Sequence, residues 1–161
     1  MEHDEPEPRD LVPYLMGRAS RSVDRAWLTY LREHGVTIAQ WQVLAILAEY
    51  DGARIGQLAA MAGTEQPVAS RVVDQMQRDA LVRRAPAPDD GRAVEIWLTR
   101  SGRRLFATML PAAGELVARA TDGLDDDAVR VLTESLTVLI ANLDGLPPNL
   151  AAATTAQEVD A

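Results

Sequence analysis

The chain contains no cysteine and no lysine. Without thiols it forms no disulfides, no thiolate metal sites and no thiol redox switch. Its two histidines, His3 and His34, stand far apart in sequence, which argues against a histidine-based metal site and leaves carboxylate sites open. Aromatics are only 4% of the 161 residues, so Leu, Val, Ala and Ile must fill the core that a 47% hydrophobic content allows. No apolar run reaches about 18 residues and no charged-then-apolar leader stands at the start, so a soluble, cytoplasmic domain with no membrane partner is expected. Catalytic signatures are missing too: there is no G-x-S-x-G elbow, no H-E-x-x-H, no Ser-His-Asp set and no phosphate-cradling glycine loop. The expectation is a protein that is not an enzyme and carries no cofactor.

All basic charge is arginine, and the net charge is −8. That total argues at first against a nucleic-acid partner. Its distribution is less hostile. From Arg54 to Arg104 there are nine arginines against six carboxylates, so a mildly basic middle lies between acidic flanks. This permits DNA binding there without establishing it.

The apolar spacing predicts helices with capped ends. Leu11, Leu15, Ala19, Val23, Trp27 and Leu31 form one stripe, ended by Gly35, with His34 as a cation in the last turn. Thr37 reads as the next N-cap, and the helix after it stops near Tyr50-Asp51-Gly52. A short helix around Ile55 and Leu58 closes at Gly63. Thr64 then opens a helix with Pro67 in its first turn and an apolar stripe of Ala69, Val72, Val73 and Met76. A brief strand begins at Leu81, "PAPDDG" turns the chain, and Val94, Ile96 and Leu98 alternate with Ala93, Glu95 and Trp97 in a second strand. Thr99 caps a long helix that Pro111 is expected to kink. Acidic residues 125–127 start a last helix, with Val129, Leu132, Leu136, Leu139 and Leu143 on one stripe.

The order of helix, helix, short helix, helix, hairpin, helix, helix describes a mainly α fold with a small β-hairpin wing, a winged helix-turn-helix. The helix starting at Glu65 is the one shaped to enter a major groove. The segments "LAAMAGTEQPVASRVVDQMQRDALVRR" and "DDGRAVEIWLTRSG" resemble the MarR family of bacterial transcription regulators, with Asp90 and Arg92 as the wing's D-x-R and Leu98-Thr99 leading to Gly102. The resemblance covers residues 11–143. It departs from the family pattern at Glu65, where Ser or Thr is usual, and at Gly91, where a second basic residue is common; both imply a modest DNA affinity or an unusual operator.

The expected organisation follows. Residues 1–10 form an acidic tail, 11–35 and 100–145 N- and C-terminal dimerisation helices, 36–99 the winged domain, and 146–161 a loose tail. The expected partners are double-stranded DNA carrying a pseudo-palindromic operator and a second copy of the chain, because the long apolar stripes need cover. The residues placed to meet DNA are Gln66, Pro67, Ser70 and Arg71 on the helix, Arg83 and Arg84 on the strand, and Asp90 and Arg92 at the wing. Gln pairs well with adenine, Arg with guanine or phosphate, and a wing-tip arginine suits a narrow minor groove. The resemblance further implies a small aromatic or anionic effector. Arg18, Arg21, Arg25 and Trp27 are its candidate anchors, since guanidinium pairs with carboxylate and indole covers a ring. The acidic total leaves one alternative open, a winged helix that binds protein and no DNA.

Overall fold

Pro13, in a first turn whose N–H groups have no helical partner, begins α1 (Val12–Glu33). The computed structural model describes residues 11–87 and 93–144, and the chain divides between Ala120 and Thr121 into two units. In the first unit α1 is followed by α2 (Ile38–Glu49), β1 (Ala53–Arg54), α3 (Ile55–Met61), α4 (Gln66–Arg78), β2 (Val82–Pro86), β3 (Val94–Leu98) and α5 (Arg100–Ala120). The second unit carries α6 (Asp126–Asp144). The predicted tails, 1–10 and 146–161, lie outside the described residues, as do Asp90, Gly91 and Arg92.

Local chemistry sets most helix ends. Thr37 caps α2 in a reciprocal box: its hydroxyl accepts from Gln40 N at 3.2 Å, and Gln40 Oε1 accepts from Thr37 N at 2.9 Å. That exchange also satisfies Gln40 in its buried position. Thr99 caps α5 by accepting from Gly102 N at 3.1 Å, and Asp125 caps α6 by accepting from Ala128 N at 2.8 Å. The α3–α4 turn ends on Gly63 at φ +60°, with Thr64 N reaching back to Ala59 O at 2.9 Å. The sequence places the start of α4 one residue early. Glu65, not Thr64, is the N-cap residue, and its side chain makes no capping hydrogen bond. Pro111, where a kink is expected, lies inside the single helix α5.

The hairpin is part of a three-stranded antiparallel sheet of order β1-β3-β2. The reading from sequence omitted β1, because two residues, Ala53 and Arg54, are too few to show alternation; they pair with Ile96 and Glu95. Pairing of β2 with β3 runs from Val82↔Leu98 to Pro86↔Val94, and Ala87 N donates to Ala93 O beyond it. The ladder therefore extends two residues into the segment expected to be loop.

Two clusters make the core of the first unit. Val43, Leu44, Leu47, Leu58, Val73, Met76, Ile96 and Leu98 gather α2, α3 and α4 onto the sheet. Trp27, Leu31, Val36 and Met109 join α1 to α5. The scarce aromatics concentrate at this second cluster. Trp27 stacks on Tyr30 (4.9 Å between centroids) and meets Trp41 edge-on (5.3 Å), and Trp41 stacks on Phe106 (5.3 Å). Such pairs add about 0.5–1.5 kcal/mol each beyond area burial. The burial stops short of the N-terminal half of α1, where Leu11, Leu15 and Val23 on the same stripe as Trp27 remain 43–49% exposed.

Candidate nucleic-acid interface

Helix α4 has two unlike faces. Ala69, Val73 and Met76 are buried and Val72 packs partly against the same core, while Gln66, Pro67, Val68, Arg71 and Gln77 are exposed and Ser70 is half-buried. The helical spacing of the sequence dictates this split: a stripe at intervals of three and four turns inward and its complement turns out. Gln66, Pro67, Ser70 and Arg71 thus share the first turns of one helix, as expected. Gln66 lies close to α3, since a Cβ on Gly56 would stand 3.2 Å from its Nε2. Pro67 removes one N–H that could have met a phosphate, and the Glu65 carboxylate sits at the same helix end, which disfavours an anion there.

Both strand arginines have partners within the fold. Arg83 lies over the ring of Trp97, its cross-strand partner, with 5.3 Å from the guanidinium carbon to the ring centroid. Arg84 turns back to α4. Its Nη1 is 2.7 Å from Asp74 Oδ1 and donates to Gln77 Oε1 at 3.0 Å. Asp74, on the polar side of α4, is therefore a partner of Arg84, a contact between residues ten apart that no local pattern announces.

The junction between α4, the sheet and α5 is bound by residues whose weight sequence reasoning missed. Asp51, read as a turn residue, accepts from Leu98 N at 2.8 Å with Oδ1, and its Oδ2 pairs with Arg103 of α5. The single Thr99 Oγ1 proton is shared between Ala80 O at 2.7 Å and Leu81 O at 3.1 Å, and Thr99 N donates to Leu81 O at 3.0 Å. The end of α4 is thereby fastened to the start of α5. Ala80 itself holds φ +55°, a left-handed conformation that helix ends usually give to glycine.

A hollow of about 560 Å³ lies between α1 and α5, lined among others by Ser22, Trp27, Tyr30, Leu116 and Arg119. Of the expected effector anchors it takes in Trp27 alone. Arg25 donates to Ser22 Oγ at 3.0 Å instead, and Arg18 and Arg21 are not among the lining residues. Arg119 and Glu115 are the charged residues of the lining, and both belong to α5, far from Trp27 in sequence. The Trp27 Nε1–H is buried and has no hydrogen-bond partner, an arrangement that costs about 1–3 kcal/mol. Among the described residues no group of three or more His, Asp or Glu is placed to hold a metal ion, and no helix is long and apolar enough to cross a membrane.

Comparison with known proteins agrees with this architecture. A model described as the MarR family matches residues 34–93. The HTH-type transcriptional repressor IacR of Pseudomonas putida is 29% identical over 130 residues, covering 81% of this chain and 75% of the repressor. The homoprotocatechuate degradative operon repressor of Escherichia coli is 33% identical over 76 residues, which are 47% of this chain and 51% of that protein. The crystal structure of a MarR family transcriptional regulator from Silicibacter pomeroyi superimposes with a TM-score of 0.76 at 27% identity, covering 88% of this chain and 94% of that one. Regulators of this kind bind DNA and act as dimers, some with small-molecule ligands. Element order and sheet topology agree with these likenesses: the chain is similar to MarR family regulators in fold and sequence, with residues 34–93 matching the family's model.

Proposed function

We propose that the chain is a homodimeric, sequence-specific DNA-binding regulator of transcription, a repressor released from its operator by a small molecule. The observation that carries this reading is the divided surface of α4: a buried apolar stripe behind, and Gln66, Ser70 and Arg71 in front, next to a short antiparallel hairpin. A helix so mounted presents base-reading side chains at its N-terminal turns, and a two-fold dimer would place two of them about one DNA turn apart. A gel shift with the DNA beside its own gene, at two salt concentrations, tests it. Binding that weakens steeply with salt supports the reading, because counterion release dominates such affinities. No shift even at low salt would favour a winged helix that binds protein, which the net charge of −8 would suit.

The roles of the individual residues are distinguishable. Arg71→Ala and Ser70→Ala are expected to weaken operator binding more than binding to random DNA, whereas loss of the wing residue Arg92 should cost about 1–3 kcal/mol while leaving the melting temperature unchanged. Competition titrations against random duplex read the difference. A uniform loss for Arg71→Ala would make it a phosphate contact, and an Arg92→Ala protein with full affinity would remove the wing from the interface.

The effector reading attaches to the hollow between α1 and α5. Tyr30 and Trp27 line it with aromatic side chains, and Arg119 supplies a cation for a carboxylate. An aromatic carboxylate that raises the melting temperature of the wild type, fails to do so for Arg119→Ala, and releases DNA would fulfil the proposal. Binding without any change in DNA affinity would exclude effector control, since a ligand that favours neither state shifts no equilibrium.

A further inference from the structure

We propose that Arg84 is a positioning residue, which sets the angle between α4 and the wing by pairing with Asp74 and Gln77. The inference rests on the DNA-binding reading above and gives it a mechanical part. Arg84 stands at the middle of β2, and its guanidinium reaches Asp74 at 2.7 Å and Gln77 at 3.0 Å, two residues on adjacent turns of α4. The chain connection between the two elements is the turn at Ala80-Leu81. The buried stripe of α4 holds the helix on the core and Thr99 fastens its end. The Arg84 contacts add an attachment from the middle of β2 to the C-terminal half of α4, which bears directly on the angle between helix and strand.

Energetics favours position over stability as the reason for the pair. The Arg84 and Asp74 side chains are 31% and 44% exposed, and half-solvated ion pairs of this kind add little to folding. The pair also has an electrostatic consequence. Asp74 lies on the polar face of the helix proposed to meet DNA, where a lone carboxylate would repel phosphate; Arg84 offsets that charge at its source. Cross-strand, the neighbouring Arg83 lies on Trp97. Both strand arginines thus spend their guanidinium groups within the fold.

The two roles for Arg84 predict opposite signs for a change at Asp74. If Arg84 grips phosphate and Asp74 is a bystander, Asp74→Asn removes a repulsive charge and tightens binding. If the pair positions the helix, the same change weakens binding to selected DNA by about threefold to tenfold, with little effect on unselected DNA. The probe is a duplex enriched from a random-sequence pool by the wild-type protein, compared with an unselected duplex of equal length. Melting curves of every variant are measured alongside. Exchange of the charges, Asp74→Arg together with Arg84→Asp, should recover much of the preference for the selected over the unselected duplex lost in Arg84→Asp alone, whereas a new phosphate contact from the introduced guanidinium would raise binding to both duplexes alike. Equal or tighter binding by Asp74→Asn, or a double variant no better than Arg84→Asp, overturns the proposal. A wild-type protein that enriches no duplex fails the DNA-binding reading itself, and the positioning role falls with it.

Discussion

Gly102→Ala is expected to destabilise the chain by about 2–3 kcal/mol, although alanine is the better helix former by about 1 kcal/mol. The reason is a backbone contact. A Cβ at position 102 would stand 2.2 Å from Leu81 O and 3.1 Å from a Leu98 methyl carbon. Leu81 O is held in place by hydrogen bonds from Thr99 N and Thr99 Oγ1, so it cannot retreat without loosening the end of α4. Relief requires shifting α5 away from the sheet or breaking the Thr99 contacts. Gly114, in the same helix, meets nothing within 4 Å and serves as the control: Gly114→Ala should be neutral or stabilising by up to about 1 kcal/mol. Urea titrations of both variants decide the matter. A Gly102→Ala protein as stable as the wild type would mean that the α4–α5 junction is far more compliant than its contacts indicate. A weakened junction should also reduce DNA binding in the folded fraction, because the same residues fasten the proposed recognition helix.

The second large effect is expected at the dimer. No residue of α6 from Asp126 to Leu143 is buried, and Leu132, Val138, Ile140 and Leu143 are 46–59% exposed. In the first unit Leu11 at the N-cap of α1, Leu15 and Val23 within it, and Leu110 and Val117 of α5 are exposed too. On the homodimer reading proposed above, these are the surfaces that the second copy covers. Leu136 and Leu139, half-buried on the α6 stripe, are the probes. A carboxylate forced into an apolar contact costs about 2–3 kcal/mol, and two-fold symmetry counts it twice. Leu136→Asp should therefore raise the dimer dissociation constant by roughly three to four powers of ten. Sedimentation equilibrium across a concentration series measures it. A wild type that is monomeric throughout, or an Asp variant that stays dimeric, would overturn this assembly.

Much of the fold was legible because its signals are local. Thr37, Thr99 and Asp125 cap helices by hydrogen bonds to residues three positions away, so their chemistry is written within a few letters. The inward stripe of α4 follows from periodicity alone. What escaped was non-local or irregular. β1 is too short to have a period, and its place is fixed only by pairing with β3. The end of α4 carries no glycine signal, because Ala80 takes the left-handed position under the hold of Thr99. Arg84 reads from sequence as a residue placed to meet DNA, and only the packing of β2 on α4 brings it to Asp74. Arg119 joins Trp27 at the hollow only through the contact of α5 with α1, whereas Arg18, Arg21 and Arg25 are near Trp27 in sequence but line other surface of the helix.

The concentration of few aromatics at two places gives the molecule its own optical labels. Trp27 and Trp41 touch each other beside the hollow, and Trp97 lies on the wing strand beneath Arg83. With three tryptophans in the whole chain, light emission at the indole wavelength comes from these positions and no others. A Trp97→Phe protein would emit only from the α1–α2 pair, and a Trp27→Phe, Trp41→Phe protein only from the wing. Quenching by a compound in the first and by a duplex in the second would resolve, without any attached dye, which end of the molecule each partner touches and in what order the two events occur.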